Sequence, residues 1–103
     1  MKLVPPKRAV ELMRGGAVLV DIREPDEHAA ERIPGAAHRP LSALPGGAPV
    51  AEDGQAVVFH CKMGGRTLIN ADKLAPLAPG DAYILEGGID AWKDAGLPVE
   101  GGS

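Results

Sequence analysis

Disulfide-forming cysteines are missing from this sequence of 103 residues, since Cys61 is its only cysteine. One thiol cannot form an internal disulfide, so nothing ties the chain to an oxidising compartment. The sequence also lacks an apolar run long enough to cross a membrane, and its first residues contain no apolar core before a cleavage site. We therefore expect a soluble cytoplasmic protein without a signal peptide or a membrane partner.

An excess of positive charge is also absent, because 14 acidic and 11 basic residues give a net charge of −3. That balance argues against a broad nucleic-acid surface, although it leaves room for a local basic patch around Cys61. Apolar residues make up 45% of the chain and charged residues 24%, which is a globular composition. We find no internal repeat, and we expect one domain over residues 1–103 with its core at about 3–99 and a flexible tail at 100–103.

Three short segments are apolar at nearly every position, namely residues 17–20, 56–59 and 82–85. Such runs are typical of strands that are covered on both faces. Helical patterns alternate with them, and this alternation predicts an α/β domain with a mainly parallel sheet. Leu3 and Val4 could add a short strand and residues 37–41 an edge strand, whereas residues 45–54, rich in proline and glycine, predict a loop.

The helical patterns lie before Gly15, in residues 24–32, from Thr67 onward and in residues 89–95. In the third helix we expect Leu68, Ala71 and Ala75 to share the buried face, with Leu74 beside them. Pro76 should end that helix, because proline cannot continue the hydrogen-bond ladder.

Polar side chains follow each of the three apolar runs directly, namely Asp21, Cys61 and Glu86, with one histidine before the cysteine. Ligands of open parallel sheets bind beyond the carboxyl ends of the strands. The sequence therefore predicts that the site lies where the carboxyl ends of these strands meet.

Cys61 opens a loop that continues with Lys62, Met63, Gly64, Gly65, Arg66 and Thr67 and leads into a helix. The thiolate is the reactive form of cysteine, and unpaired N–H groups at a helix N-terminus favour an anion. Lys62 and Arg66 add positive charge, while the two glycines let successive N–H groups point inward. A cysteine that only fills the core is the alternative, but such a residue needs neither the cations nor the glycines.

Four segments in the same order resemble the signatures of the single-domain rhodaneses, a sulfurtransferase family. They are residues 20–27, 33–36, 61–67 and 85–99, and the resemblance extends over residues 3–99. It implies a five-stranded parallel sheet with helices on both faces, and it implies that Cys61 carries sulfur. The chain departs from the family pattern at Glu31 and Arg32, before Ile33, and at His28, where an aromatic residue is common.

The chemistry that the resemblance implies is a two-step transfer without a cofactor or a metal. The thiolate of Cys61 would take the outer sulfur of a donor such as thiosulfate, and the persulfide would pass it to cyanide or a thiol. The N–H groups of residues 62–67 would cradle the persulfide, and Lys62 and Arg66 would attract an anionic donor. A protein thiol or persulfide could be the partner. The sequence does not determine the oligomeric state, and it is compatible with a monomer.

Two other functions compete with this enzyme. The first is a persulfide relay between protein partners with little activity on small molecules. The second is a non-catalytic interaction module, against which the intact Cys61 counts. Phosphatases and arsenate reductases of the same fold carry a longer loop than the four residues between Cys61 and Arg66, so we do not favour their chemistry.

For the remaining polar residues and the single tryptophan we favour structural roles. His60 should point away from the sulfur, because successive side chains of a strand face opposite ways. We expect Asp21 and Arg23 to form an ion pair or a cap and Glu86 to belong to a turn. Trp92 should pack in the core, His28 and His38 should lie at the surface, and Arg39 with Lys62 could face a partner.

Overall fold

The computed structural model describes residues 1–43 and 49–101. Its strands are Lys2–Val4 (β1), Val18–Asp21 (β2), Ala37–His38 (β3), Val57–His60 (β4) and Ala82–Leu85 (β5). They form one sheet in the order β1-β5-β4-β2-β3, and all neighbouring pairs are parallel. The expected five-stranded parallel sheet is confirmed. Part of the loop expected at residues 45–54 and the last two residues of the expected tail lie outside the described residues.

The helices connect these strands, as parallel pairing requires. They are Pro6–Arg14 (α1), Pro25–Ala30 (α2), Gly65–Ile69 (α3), Ala71–Leu74 (α4) and Gly88–Asp94 (α5), with short 3₁₀ turns at Leu41–Ala43 and Ala75–Leu77. Proline opens α1 and α2, where its fixed φ suits the first turn and its missing N–H costs nothing. Among the described residues, the helices do not combine the length and the apolar character that a membrane span needs.

Two apolar clusters cover the two faces of the sheet. On one face, Leu19 and Val58 pack with Ala9 of α1 and with Ile89 and Trp92 of α5. On the other face lies the second cluster, whose buried members are Val20, Ile22, Val57, Phe59, Cys61, Leu74 and Leu77. Neighbouring positions of β2 and β4 thus point to opposite layers, as the pleat dictates. Helices on both faces are therefore confirmed.

The expected third helix is wrong in its length and in its buried face. The chain breaks at Asn70 (φ −103°, ψ 14°), and the Asn70 side-chain amide donates to the Arg66 carbonyl at 2.8 Å. Leu68 is exposed, whereas Thr67 and Leu74, which are seven positions apart and share one helical face, are fully buried.

Four boundaries along the chain also differ from expectation. The edge strand covers only Ala37–His38, and the chain then turns into a 3₁₀ segment at Leu41. The strands β2 and β4 each include one more polar residue, Asp21 and His60. The tail does not begin at residue 100, because the backbones of Glu100 and Arg32 exchange two hydrogen bonds of 2.8 Å.

Candidate functional site

Cys61 lies at the carboxyl end of β4, which is the middle strand of the sheet. Its side chain is only 1% exposed and borders a cavity of about 240 Å³. The other residues that line this cavity are Lys62, Met63, Gly65 and Arg66. Gly64 and Thr67 are buried behind them. All seven loop residues singled out from the sequence therefore lie around the sulfur or on the wall beneath it.

Two groups of the loop approach the Cys61 sulfur. The Gly64 N–H donates a hydrogen bond to Sγ at 3.0 Å, and the Thr67 hydroxyl oxygen lies 3.7 Å from Sγ. The Thr67 hydroxyl donates its proton to the Gly64 carbonyl at 2.7 Å, so towards the sulfur it offers a lone pair. A fixed N–H donor on the sulfur favours negative charge there. The Gly64 N–H can therefore stabilise negative charge on the sulfur, whereas the Thr67 oxygen can only accept a hydrogen bond from the thiol.

The N-terminus of α5 holds the loop from behind. The N–H of Ile89 donates to the Cys61 carbonyl at 2.9 Å, and the N–H of Asp90 donates to the Lys62 carbonyl at 3.1 Å. These bonds satisfy both carbonyls from the α5 side, so the start of the loop is fixed against this helix. Gly88 has φ +60°, and a Cβ there would collide with both carbonyl oxygens. The sequence predicts only a turn for residues 86–88, and its glycine pair is the one signal for this close backbone approach.

Both cations of the loop are paired with carboxylates. Arg66 makes a bidentate ion pair with Glu27 at 2.6 and 2.7 Å, and Lys62 lies 3.2 Å from Asp90. The hydrogen bond from Arg66 lowers the pKa of Glu27, and the same bond raises the pKa of Arg66. Sequence reasoning missed both acidic partners. Their position inside the first and last family-like segments was the only signal, since each is far from the loop along the chain.

A buried polar network lies beneath the loop. Asp21 accepts from the Nε and Nη2 atoms of Arg23 at 2.9 to 3.2 Å, so the proposed ion pair exists. Burial raises the pKa of Asp21, but the hydrogen bonds from Arg23 and nearby positive charge outweigh it, and the net shift is downward. His60 is fully buried, and its Nδ1 contacts the Cys61 carbonyl at 3.1 Å. His60 thus supports the backbone of Cys61, as the structural role requires.

The His60 ring is in an unusual electrostatic setting. Because a carbonyl can only accept, Nδ1 carries the proton, and in the neutral ring Nε2 has a free lone pair. Nε2 has no hydrogen-bond partner within the described residues, and the Oδ2 of Asp21 lies 3.8 Å away. Burial lowers the pKa of His60, and the charge of Asp21 offsets only part of this effect. The ring is therefore held neutral under the loop.

His28 and His38 do not lie freely at the surface as expected. Their rings stack with centroids 4.1 Å apart, both are half-buried, and Nε2 of His38 contacts the Arg23 carbonyl at 2.8 Å. Burial lowers the pKa of His28. Within residues 1–43 and 49–101, no three His, Cys, Asp or Glu side chains are grouped so that they could hold a metal ion.

Fold and site together define a parallel α/β protein whose only cysteine lies in a glycine-containing loop at the carboxyl end of the central strand. The chain belongs to the rhodanese-like domain family, whose model matches residues 5–95. The resemblance seen in the sequence is therefore confirmed.

Relatives extend this assignment. A thiosulfate sulfurtransferase GlpE of Pseudomonas fluorescens is 32% identical over 99 residues, which cover 96% of this chain and 90% of the relative. An uncharacterized protein of Synechocystis is 40% identical over 98 residues, 93% of this chain, but the chain spans only 54% of that relative. The crystal structure of a rhodanese-related protein from Thermoplasma volcanium has a TM-score of 0.82 at 24% identity, with 97% and 98% of the two chains covered, and shows the shared fold. Family and GlpE relatives place the chain among thiosulfate sulfurtransferase-like enzymes.

Proposed function

We propose that this protein is a sulfurtransferase that carries one sulfane sulfur on Cys61. The donor is a small molecule such as thiosulfate, and the acceptor is cyanide or a thiol. The observation that carries the proposal is the position of the Cys61 sulfur at the cavity, with the Gly64 N–H directed at it from 3.0 Å. The reaction as proposed uses no metal and no cofactor.

In the first half-reaction the Cys61 thiolate attacks the outer sulfur of thiosulfate. The bond between the two sulfurs of thiosulfate breaks, its electron pair leaves with sulfite, and a Cys61 persulfide anion remains. In the second half-reaction a nucleophile attacks the outer persulfide sulfur, and the electron pair of the broken S–S bond returns to Sγ. Splitting the transfer in this way is covalent catalysis.

The loop residues have distinct parts in this proposal. The N–H groups of residues 62–67 receive the outer sulfur, and Gly64 contributes the donor already in contact with Sγ. Thr67 fixes the loop through its bond to the Gly64 carbonyl. Met63 and Gly65 shape the cavity, and Lys62 and Arg66 border it as members of ion pairs. The short loop, with four residues between Cys61 and Arg66, supports sulfur chemistry over phosphate chemistry.

The test is the mass of the intact protein before and after incubation with thiosulfate. We expect a gain of one sulfur atom that cyanide or a thiol removes, and we expect no gain in Cys61→Ser, which keeps the side-chain size and lacks the nucleophile. A folded, reduced protein that gains no sulfur would exclude thiosulfate as the donor. A gain that persists in Cys61→Ser would exclude the assigned cysteine.

A further inference from the structure

Three peptide units of the loop share one pattern of hydrogen bonds. The carbonyls of Cys61, Lys62 and Gly64 each accept at least one bond. The N–H groups that follow them belong to Lys62, Met63 and Gly65, and none of these donates to an acceptor in the described part of the chain. The same three residues line the cavity beside the sulfur. Each unit therefore has its oxygen bonded to the protein and its N–H available for a ligand.

Hydrogen bonds to the oxygen of a peptide make its N–H a stronger donor, because both groups belong to one polarisable amide. The Lys62 carbonyl accepts one bond, from the Asp90 N–H. The Cys61 carbonyl accepts two, from the Ile89 N–H at 2.9 Å and from Nδ1 of His60 at 3.1 Å. Of these two donors only His60 is a side chain, so this part of the polarisation depends on the residue at position 60.

Burial holds the His60 ring in place. The side chain is fully buried at the end of β4, the central strand, and the residue is paired in register with Asp21 of β2. Nε2 has no partner among the described residues, so the bond from Nδ1 is the only hydrogen bond that the ring makes to them. Packing alone would favour an apolar side chain here, since an unpaired nitrogen is costly to bury. What histidine adds is the bond to the Cys61 carbonyl.

We propose that His60 is a positioning residue of sulfur transfer, and that its bond to the Cys61 carbonyl strengthens the Lys62 N–H as a donor to the outer sulfur of the persulfide. The inference rests on the proposed function and adds to it a residue that does not touch the sulfur. During loading, a new S–S bond forms at Sγ and the donor's own bond to that sulfur breaks, its electron pair leaving with the rest of the donor. Negative charge thereby moves from Sγ to the outer sulfur, where a polarised N–H stabilises it.

Two substitutions of His60 separate the hydrogen bond from packing. His60→Phe keeps a buried ring and has no donor, whereas His60→Asn is smaller but places an amide N–H where Nδ1 was. Packing favours His60→Phe, because asparagine leaves a cavity and a second polar group in the core. The matched control is Val58→Ala, since Val58 is fully buried on the same face of β4 and its side chain has no hydrogen bond to lose.

The measurements are urea unfolding at constant pH and the rate at which saturating thiosulfate or inorganic polysulfide loads Cys61, followed by intact mass. We expect His60→Phe to be more stable than His60→Asn but to load about three- to fivefold more slowly than wild type, as the loss of one cooperative bond gives. His60→Asn and Val58→Ala should load within about twofold of wild type although both lose stability.

Loading that follows stability, with His60→Phe as fast as His60→Asn or faster, would overturn this role of His60 and leave the proposed function intact. If His60→Phe does not fold, His60→Leu takes its place, because it also lacks a donor. A wild type that polysulfide loads and thiosulfate does not would change the proposed donor only, and the two variants would still decide the role of His60. A folded wild type that accepts sulfur from neither would refute the proposed function and this inference together.

Discussion

Arg66 does not act as a free cation in this loop. Its guanidinium is held by both oxygens of Glu27, and the side chains are 36% and 28% exposed. Glu27 also accepts a hydrogen bond from the backbone N–H of Glu24 at 3.3 Å at the start of α2. The Glu27 carboxylate thus fixes the first turn of α2 and holds Arg66 beside the cavity. The same ion pair neutralises the positive charge of Arg66.

Removing that carboxylate charge should release Arg66 for anionic donors. Glu27→Gln keeps an oxygen for the Glu24 N–H but loses the negative charge. We expect thiosulfate to load Cys61 about threefold faster at low salt, with the gain shrinking as salt screens it. The measurement is the rate of persulfide formation by mass. The control is Glu31→Gln, which breaks the comparable surface pair with Lys93, and an equal gain there would refute a local effect.

At the residue scale, sequence reasoning could find Cys61 and its loop but not their charge balance. The loop residues are consecutive, so their chemistry is visible as a motif. The partners of the two cations lie 39 residues away for Glu27 and 28 for Asp90. Only the packing of α2 and α5 beside the loop brings these carboxylates into contact with Arg66 and Lys62. A single sequence does not show which residues meet in this way.

At the scale of elements, the site is a contact between a loop and a helix. The first N–H groups of α5 have no partner inside their own helix, and the Cys61 and Lys62 carbonyls satisfy two of them. The contact needs the backbones to touch, which Gly88 permits because it has no Cβ.

Gly88→Ala should therefore damage the site as well as the fold. The added methyl meets the Cys61 and Lys62 carbonyl oxygens, so the loop must move. Gly96→Ala, at the other end of α5, is the matched control, since Gly96 has φ +77° and a Cβ there meets no described atom within 4 Å. Both variants bear the cost of positive φ, about 1 kcal/mol, but only Gly88→Ala adds overpacking of about 1–3 kcal/mol.

The measurements for this pair are urea unfolding and the rate of persulfide formation. We expect Gly88→Ala to unfold more easily than Gly96→Ala and to form the persulfide at least about tenfold more slowly, as a displaced reactive group does. Equal losses in the two variants would mean that backbone conformation alone explains both glycines.

Element boundaries show where sequence reasoning stops. The apolar runs predict the strands, because a strand that is buried on both faces has apolar residues at successive positions. The region after Thr67 was harder, since Leu68, Ala71 and Ala75 fit a helical face as well as the residues that are buried. Packing decides between them, because Thr67 and Leu74 share one helical face and are buried, and periodicity alone does not show which of two possible faces meets the sheet.

At the scale of the whole molecule, the reactive loop rests on buried titratable groups. Asp21 and His60 end the adjacent strands β2 and β4 in register, and Arg23 closes over Asp21. His60 joins this network to the Cys61 carbonyl. The same burial that positions the loop excludes water from His60, so the folded protein should resist protonation of this ring.

Stability should therefore fall when the solution becomes mildly acidic. The pKa of His60 is lowered from 6.5 by burial, so below that pH the unfolded chain binds a proton that the folded chain refuses. The contribution of the neutral His60 ring to the free energy of unfolding is complete above pH 6.5. It is lost as the pH falls from there through the pKa that His60 has in the folded protein. His28 acts in the same direction, whereas Asp21 and Glu27, with pKa values lowered from 3.8 and 4.5, titrate below this range.

Urea unfolding between pH 7.5 and pH 5 would measure this effect. We expect the free energy of unfolding to decrease with a slope of up to about 1.4 kcal/mol per pH unit from His60. His60→Asn places an amide N–H where Nδ1 was and cannot titrate, so it should flatten the slope. His28→Gln should flatten it less, because that ring is only half-buried. If His60→Asn kept the full slope, the acid sensitivity would arise elsewhere, and the neutral ring beneath the loop would not couple protonation to folding.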